Sequence, residues 1–432
     1  MSLSVSRVET VLSLQQLLSS EGKATCPECP VAKLDSGSAL PLVAFSSGHG
    51  SSAKRMRSFG DMQQALVPDV DDQGSWLSGA SDEEGSASEG RVPSPPASDT
   101  ESGSLLDTVL MAEWEDRAEQ GLFRYDVTAC PTKVVPGAYG FVAQCNEGRG
   151  SKKRPTEFCV DKVLQQWDDS KFNFTKALQK EVLFQFEASD MPAKGSSFVP
   201  LAPVTGSPNL VFINVSPIEY GHVLLVPRVL SKLSQQVDVA SLQLALQFAH
   251  EANNPFFRLA FNSLGAYGTV NHLHFQAYYM AAPFAVERAP TAALCCPLKH
   301  RTVHVALLKD YPVCGLVFES GGSVEHLASV VGEACQRLSA ANIPHNLFVV
   351  DCGQRVFLFP NAFARAKAHG EVPSDLLDSQ VDPAAFEISG HVIFKHAKDY
   401  DTASQDNIWR LLSYASYTEA DVLDMARMAL AL

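Results

Sequence analysis

The stretch Asn262-Ser263-Leu264-Gly265-Ala266-Tyr267-Gly268-Thr269-Val270-Asn271-His272-Leu273-His274-Phe275-Gln276 decides how the rest of this chain is read. Two glycines sit in a loop, and behind them polar and apolar side chains alternate. On a strand, successive side chains point to opposite faces, so His272, His274, Gln276 and Tyr278 are expected on one side and Leu273, Phe275, Ala277 and Tyr279 on the other. That polar face is open to three readings: a satisfied edge, two ligands of a metal site, or a histidine nucleophile with helpers. A metal site needs three or four convergent His, Cys, Asp or Glu ligands. Gln276 is a poor ligand and no third donor lies nearby, so a metal ranks second and none is expected. A nucleophilic imidazole needs only a neutral ring aimed at an electrophile, with its other nitrogen fixed by a hydrogen bond. The Gln276 amide can then donate to a phosphate oxygen, and the glycines let backbone N–H groups approach the anion.

Working outward, the stretch is preceded by strand-like runs at 210–215 and 222–227, a helical pattern over 238–253 and the strand FFRLAF at 256–261. The same order recurs downstream. Val303 to Leu308 and Gly315 to Glu319 read as strands, Val324 to Ala341 as a helix, and NLFVVD (346–351) with RVFLFP (355–360) as two more strands. The second half is therefore a weak copy of the first without the paired histidines. The fold class is α+β, a duplicated antiparallel sheet with packed helices, in halves 105–300 and 301–432. Residues 105–123, 401–415 and 418–431 are expected to be helical, and 385–396 to add a strand.

Before residue 105 the character changes. Between Asp69 and Ser104 nine acids stand against the single base Arg91 among Ser, Gly and Pro, too little apolar surface to offset the entropy of ordering. Residues 1–104 are expected to be a mostly disordered tail and a candidate docking site for regulatory partners. Within it lie a weak helical pattern at Val8 to Leu18, an isolated CxxC at Cys26 and Cys29, and a small basic cluster, Lys54, Arg55 and Arg57.

The 432 residues carry a net charge of −14, which opposes a large phosphate-neutralising surface and disfavours nucleic-acid binding. The apolar runs are too short to cross a bilayer. Ten cysteines lie without a regular framework and no basic-then-apolar signal segment opens the chain, so a reducing cytoplasm, with the nucleus as a second location, is expected.

HxHxQ behind an N-x-x-G-x-x-G-T type loop resembles the histidine-triad superfamily, in its galactose-1-phosphate uridylyltransferase-like branch. The flanking segments narrow this further. RYDVTACPTKVVPGAYGFVAQCNEGRGSKKRPTEF (124–158), FNFTKALQKEVLFQFE (172–187), NVSPIEYGHVLLVPR (214–228), YGTVNHLHFQAYYM (267–280), YPVCGLVFES (311–320) and EISGHVIFK (387–395) resemble the plant and algal GDP-L-galactose phosphorylase family. The resemblance covers about residues 105 to 432. It implies a histidine-triad-like fold and a cofactor-free nucleotidyl transfer in L-ascorbate synthesis. His274 would attack the α-phosphorus of GDP-L-galactose, hexose 1-phosphate would leave, and inorganic phosphate would take up the guanylyl group to give GDP. His272 would position the site or contact phosphate, Gln276 would contact the transferred phosphoryl group, and Asn262, Gly268 and Thr269 would cradle it. In the basic cluster Arg149, Lys152, Lys153 and Arg154, at least one of Lys152 and Arg154 is expected to reach the substrate, with Arg149 next. His222 is read as scaffold, and His250, His304, His345 and His391 as structural or surface residues. The rivals are a GDP-D-glucose phosphorylase, a GDP-sugar hydrolase and a GDP-sugar-sensing binding module.

Overall fold

The computed structural model describes residues 26–46, 103–152, 158–159, 161–189, 195–294, 298 and 300–432. The helical pattern at Val8 to Leu18, the basic cluster at 54–57 and the acidic run from Asp69 to Ser102 lie outside them.

The first half contains β1 (Ala39–Phe45), α1 (Leu105–Glu119), β2 (Thr132–Val134), β3 (Val142–Cys145), α2 (Glu147–Lys152), β4 (Val182–Ala188), β5 (Ser197–Pro203), β6 (Leu210–Ile213), β7 (Val223–Val226), α3 (Val239–Ala252), β8 (Phe257–Asn262), β9 (Phe275–Tyr279) and β10 (Thr291–Ala293). The second contains β11 (His304–Leu308), β12 (Leu316–Glu319), α4 (Val324–Ala340), β13 (His345–Val350), β14 (Arg355–Pro360), α5 (Phe363–Ala368), α6 (Ser374–Asp378), α7 (Ala385–Ser389), β15 (His391–Phe394), α8 (Ala397–Asp401), α9 (Gln405–Ser413) and α10 (Glu419–Leu430). The described residues form one twelve-stranded sheet, ordered β10-β11-β12-β14-β13-β8-β9-β7-β6-β4-β1-β5, and a small sheet β15-β3-β2.

The duplication is visible in this order. Hairpin β6-β7, helix α3 and hairpin β8-β9 are matched by β11-β12, α4 and β13-β14, and the two sets join where β8 runs antiparallel to β13. Both helices begin at a side-chain cap: Asp238 accepts from the Ser241 N–H and Ser323 from the His326 N–H. They lie side by side on one face of the sheet, where every second strand residue, among them Val223, Leu225, Phe275, Ala277, Leu347 and Val349, is buried under α1, α3, α4 and α10.

The other face has two separate covers. Over the second half, the small sheet and helices α7 and α9 enclose Tyr278, Phe348, Phe357 and Phe359. Over the first half, residues 31–40 and 172–182 enclose Leu210, Phe212, Leu224 and Val226. Between the covers the sheet face is not filled with apolar side chains, and there β9 presents Gln276, flanked by Leu224 on β7 and Ala260 on β8.

Two expectations change. Residues 26–46 fall within the range read as tail, yet β1 is a strand held between β4 and β5, with Val43 fully buried. Its run Leu40-Pro41-Leu42-Val43-Ala44-Phe45 is apolar enough to offset its ordering, which the acidic run is not. Residues 385–396 form a short helix before their strand, and 401–415 are broken at Thr402, with α9 capped afresh by Ser404.

The link between the halves is tied by a buried ion pair. Arg258 on β8 donates from Nε and Nη2 to the two carboxylate oxygens of Glu287, at 2.7 and 3.0 Å, and the Phe284 N–H donates to the same carboxylate at 3.1 Å. Removing one partner strands a charge in the interior, so Glu287→Ala should lower unfolding stability by about 3–5 kcal/mol. Urea denaturation checks this, and a loss under about 1 kcal/mol would mean that Arg258 is satisfied by backbone carbonyls alone.

Candidate active site

The HLH segment is extended but is not part of the sheet. The strand expected over 271–280 begins only at Phe275. Residues 271–274 are gripped instead by the loop preceding α3. The Leu273 N–H donates to the Leu233 carbonyl at 2.8 Å, and the His274 N–H donates to Gln235 Oε1 at 3.0 Å. Gln235 Nε2 donates to the Asn262 carbonyl at 2.9 Å, and the Gln235 N–H donates to Asn271 Oδ1 at 2.9 Å. One buried glutamine thus fixes both ends of the Gly-containing loop.

This geometry sets the tautomers of the rings. His274 Nδ1 lies 2.8 Å from the His272 carbonyl oxygen, which can only accept, so Nδ1 carries the proton and Nε2 keeps its lone pair. Burial lowers its pKa to about 4, so the ring is neutral at neutral pH. His274 also lines a cavity whose empty space, open mouth included, is about 730 Å³. His272 is the opposite case. Its Nδ1 accepts the Phe174 N–H at 3.1 Å, the ring is fully buried against Trp167 and Phe174, and it is not among the residues lining the cavity. Of the two expected roles only positioning fits, because the ring supports the 172–182 cover and has no access to a phosphate.

Gln276 lines the cavity, and a residue read only as scaffold orients it. The Ile218 N–H donates to His222 Nδ1 at 2.8 Å, so Nε2 of that buried ring carries the proton and donates to Gln276 Oε1 at 3.2 Å. The Gln276 N–H₂ group is left to turn toward the cavity. Burial, and then the Arg149 charge, push the His222 pKa well below its usual value, which keeps the ring neutral and Nδ1 free to accept from the Ile218 N–H.

The remaining expectations divide. Thr269 lines the cavity. Asn262 lines an adjoining one. Gly268 lines neither; its N–H donates to the Ser263 carbonyl at 3.0 Å, and a Cβ there would sit 2.7 Å from the Asn262 carbonyl oxygen and 2.8 Å from that of Ser263. The glycine permits a tight loop and does not offer its N–H to an anion. Arg149 lines both cavities and is braced by Nη1 donating to the Ser216 carbonyl at 2.9 Å. Lys152 is the last residue of α2, and Lys153 and Arg154 lie outside the described residues. Sequence reading missed Arg124 and Glu181, which also line the first cavity, and the aromatic wall of Phe172, Phe174 and Phe212. Among the described residues, no three of His, Cys, Asp and Glu converge in a way that could hold a metal ion.

The buried rings couple stability to pH. Burial lowers His272 to about 3, His274 to about 4, His345 to about 4 and His391 to about 3, from 6.5. A base with a depressed folded-state pKa takes up a proton on unfolding, so the stabilisation is complete above pH 6.5 and declines as pH falls toward 4. Glu113, Glu187 and Glu219, raised by burial, oppose this in part. The melting temperature should be level from pH 6.5 to about 8, below the titration of the buried thiols in the unfolded chain, and fall steadily between 6.5 and 4. A rise over that window would mean that the rings are charged in the folded protein.

Known proteins share this sequence. Models of the GDPGP1-like N-terminal and C-terminal domains match residues 105–278 and 285–431. Over 328 residues the chain is 53% identical to GDP-L-galactose phosphorylase 1 of Arabidopsis thaliana, covering 76% of this chain and 73% of the relative. Over 319 residues it is 34% identical to GDP-D-glucose phosphorylase 1 of Homo sapiens, covering 70% and 77%. Among solved structures, yeast Ap4A phosphorylase Apa2 aligns with a TM-score of 0.47 at 11% identity, over 73% of this chain and 95% of that one. With both domain models matched in order and this degree of identity to the Arabidopsis protein, the chain belongs to the GDPGP1-like family.

Proposed function

We propose that this protein is a GDP-L-galactose phosphorylase that works by double displacement on His274. The observation that carries the mechanism is the His272 carbonyl accepting the Nδ1 proton of His274, which leaves Nε2 as a neutral nucleophile facing the cavity. The Nε2 lone pair attacks the α-phosphorus, the bond to the bridging oxygen breaks, and L-galactose 1-phosphate departs with that electron pair. An oxygen of inorganic phosphate then attacks the guanylyl-imidazole, the N–P bond breaks, and GDP leaves. The His272 carbonyl faces the positive charge that the ring carries in the intermediate. Arg124, Arg149, the Gln276 N–H₂ and the Thr269 hydroxyl supply the donors and charge that a pyrophosphate requires.

The nucleoside fits the apolar part of the same cavity, where Phe172, Phe174, Phe212, Leu224 and Val270 offer flat surfaces. Guanine presents N1–H and a 2-amino group, both donors. Glu181 is the one carboxylate among the cavity-lining residues, its Oε1 accepting the Leu178 N–H at 3.1 Å. The greater identity to the L-galactose than to the D-glucose enzyme supports the sugar, 53% against 34%.

Four experiments test this reading. GDP should appear only when phosphate is supplied, and His274→Asn should lower turnover by roughly 10⁴-fold or more. Brief incubation with GDP-L-galactose labelled at the α-phosphorus, without phosphate, should leave acid-labile label on the unaltered protein; no trapped label, or GMP release in place of GDP, would sink the mechanism. Glu181→Gln should reduce the preference for GDP-hexose over ADP-hexose, measured as a ratio of kcat/KM, by roughly 10- to 100-fold. An unchanged ratio would remove the residue from base recognition.

A further inference from the structure

A second cavity adjoins the first across Arg149, Thr269 and Gln276, which line both. His274 lines only the first. Half of the second cavity's wall comes from the half that lacks the histidine pair: Asp382 precedes α7, Phe386 and Glu387 lie on it, and Lys395 follows β15. Asn262, the last residue of β8, and Tyr267, in the loop after it, also line the cavity.

Three of these side chains are held by hydrogen bonds. Lys395 Nζ donates to Asp382 Oδ2 at 3.0 Å. Its stem packs over Gly150, where an added Cβ would lie 3.2 Å from the Lys395 Cβ. Asn262 Oδ1 accepts from Asn346 Nδ2 at 2.7 Å and from the Ala385 N–H at 2.9 Å, so the amide N–H₂ is the group it can turn to the cavity. Tyr267 sits at φ 69°, in the left-handed region that an aromatic residue rarely adopts. Such strain persists only where the surroundings impose it, and it is concentrated at functional sites.

The chemistry of the wall selects among the parts of a sugar nucleotide. Two carboxylates, an ammonium, a phenol and an amide give acceptors and donors together, and Phe386 gives an apolar face. Hexose hydroxyls both donate and accept, and the C–H face of the ring is apolar. The wall's two cations, Arg149 and Lys395, are matched by the carboxylates of Asp382 and Glu387, so it offers a further phosphate no net positive charge. In-line displacement sends the leaving group away from the attacking nitrogen, and this cavity is reached past Gln276 and Thr269, without His274 on its wall.

We propose that this second cavity is the hexosyl subsite, with Asp382, Glu387 and Tyr267 reading the sugar hydroxyls and setting hexose preference. The proposal rests on the GDP-hexose reading above. Inorganic phosphate carries no sugar, so the half-reaction that joins it to the guanylyl group does not use this cavity.

That difference provides the test. Asp382→Asn, Glu387→Gln and Tyr267→Phe are compared with the unaltered protein in two assays, kcat/KM for release of hexose 1-phosphate and isotope exchange between labelled phosphate and GDP. Each variant should lose roughly 10- to 100-fold in the first while exchange stays within about twofold, and the ratio of GDP-L-galactose to GDP-D-glucose turnover should shift. Tyr267→Phe keeps the ring and so keeps a readable result if a carboxylate variant fails to fold. Equal losses in both assays, or no loss in either, would overturn the subsite. Absence of exchange in the unaltered protein would sink the phosphorylase reading and the subsite with it.

Discussion

One backbone carbonyl decides which nitrogen of His274 can react. Imidazole has two tautomers of similar energy, and only one leaves Nε2 free; the His272 oxygen, 2.8 Å from Nδ1, selects it. That oxygen is available because residues 271–274 stand outside the sheet. Gln235 holds the segment by the His274 N–H and by the Asn262 carbonyl at 2.9 Å, so the tautomer of the reacting ring depends on a loop far away in sequence. The same logic operates at Gln276, whose amide is turned by the ring of His222. The proposed nucleophile and the proposed donor are thus each aligned by a buried group that does not line the cavity.

The duplicated sheet explains why the site lies where it does. One face is sealed continuously by helices, whereas the other is sealed by two unrelated covers that do not meet. At their seam a strand can carry a polar side chain without burying it unpaired, and β9 carries Gln276 there. The matching strand of the second half, β14, runs Val356-Phe357-Leu358-Phe359, all buried, under a complete cover. β14 therefore has no counterpart of Gln276. What the second half contributes is the wall of carboxylates and Lys395 beyond the seam, so the two copies have divided the substrate between them.

The legible part of the sequence was the part governed by local pattern. Alternating strands, two similar helices between hairpins and the HxHxQ spacing all follow from periodicities of two and 3.6 residues. What local pattern cannot express was misread. Alternation alone continues β9 back through His272, but whether a segment pairs in a sheet depends on the neighbour across from it, and here the neighbour is the Leu233 to Gln235 loop. Gly268 was read by its freedom near an anion, whereas the nearby carbonyls of Asn262 and Ser263 are what exclude a side chain. Arg124, Glu181 and Gln235 carry no signal of their own, being single polar residues in unremarkable runs that become neighbours only through long-range packing. Residues 26–46 were absorbed into an acidic tail because the composition of their surroundings masked one apolar strand.

The ionisable groups of the first cavity also bear on which acceptor takes the guanylyl group. Its lining holds Arg124, Arg149, His274 and Glu181. Hydrolysis needs a base to deprotonate water, yet in the proposed mechanism the imidazole is consumed by the phosphorus once the intermediate forms. Glu181, the remaining candidate, is anchored to the Leu178 N–H beside the aromatic wall. Phosphate needs no such base, since it arrives already anionic, and the two guanidinium groups attract it while giving water nothing. A sugar phosphate likewise leaves near neutral pH without a strong acid to protonate it, so position and charge carry the reaction in both directions. A cavity with two arginines, one imidazole and one carboxylate anchored to the Leu178 N–H is better suited to exchanging phosphate esters than to hydrolysing them.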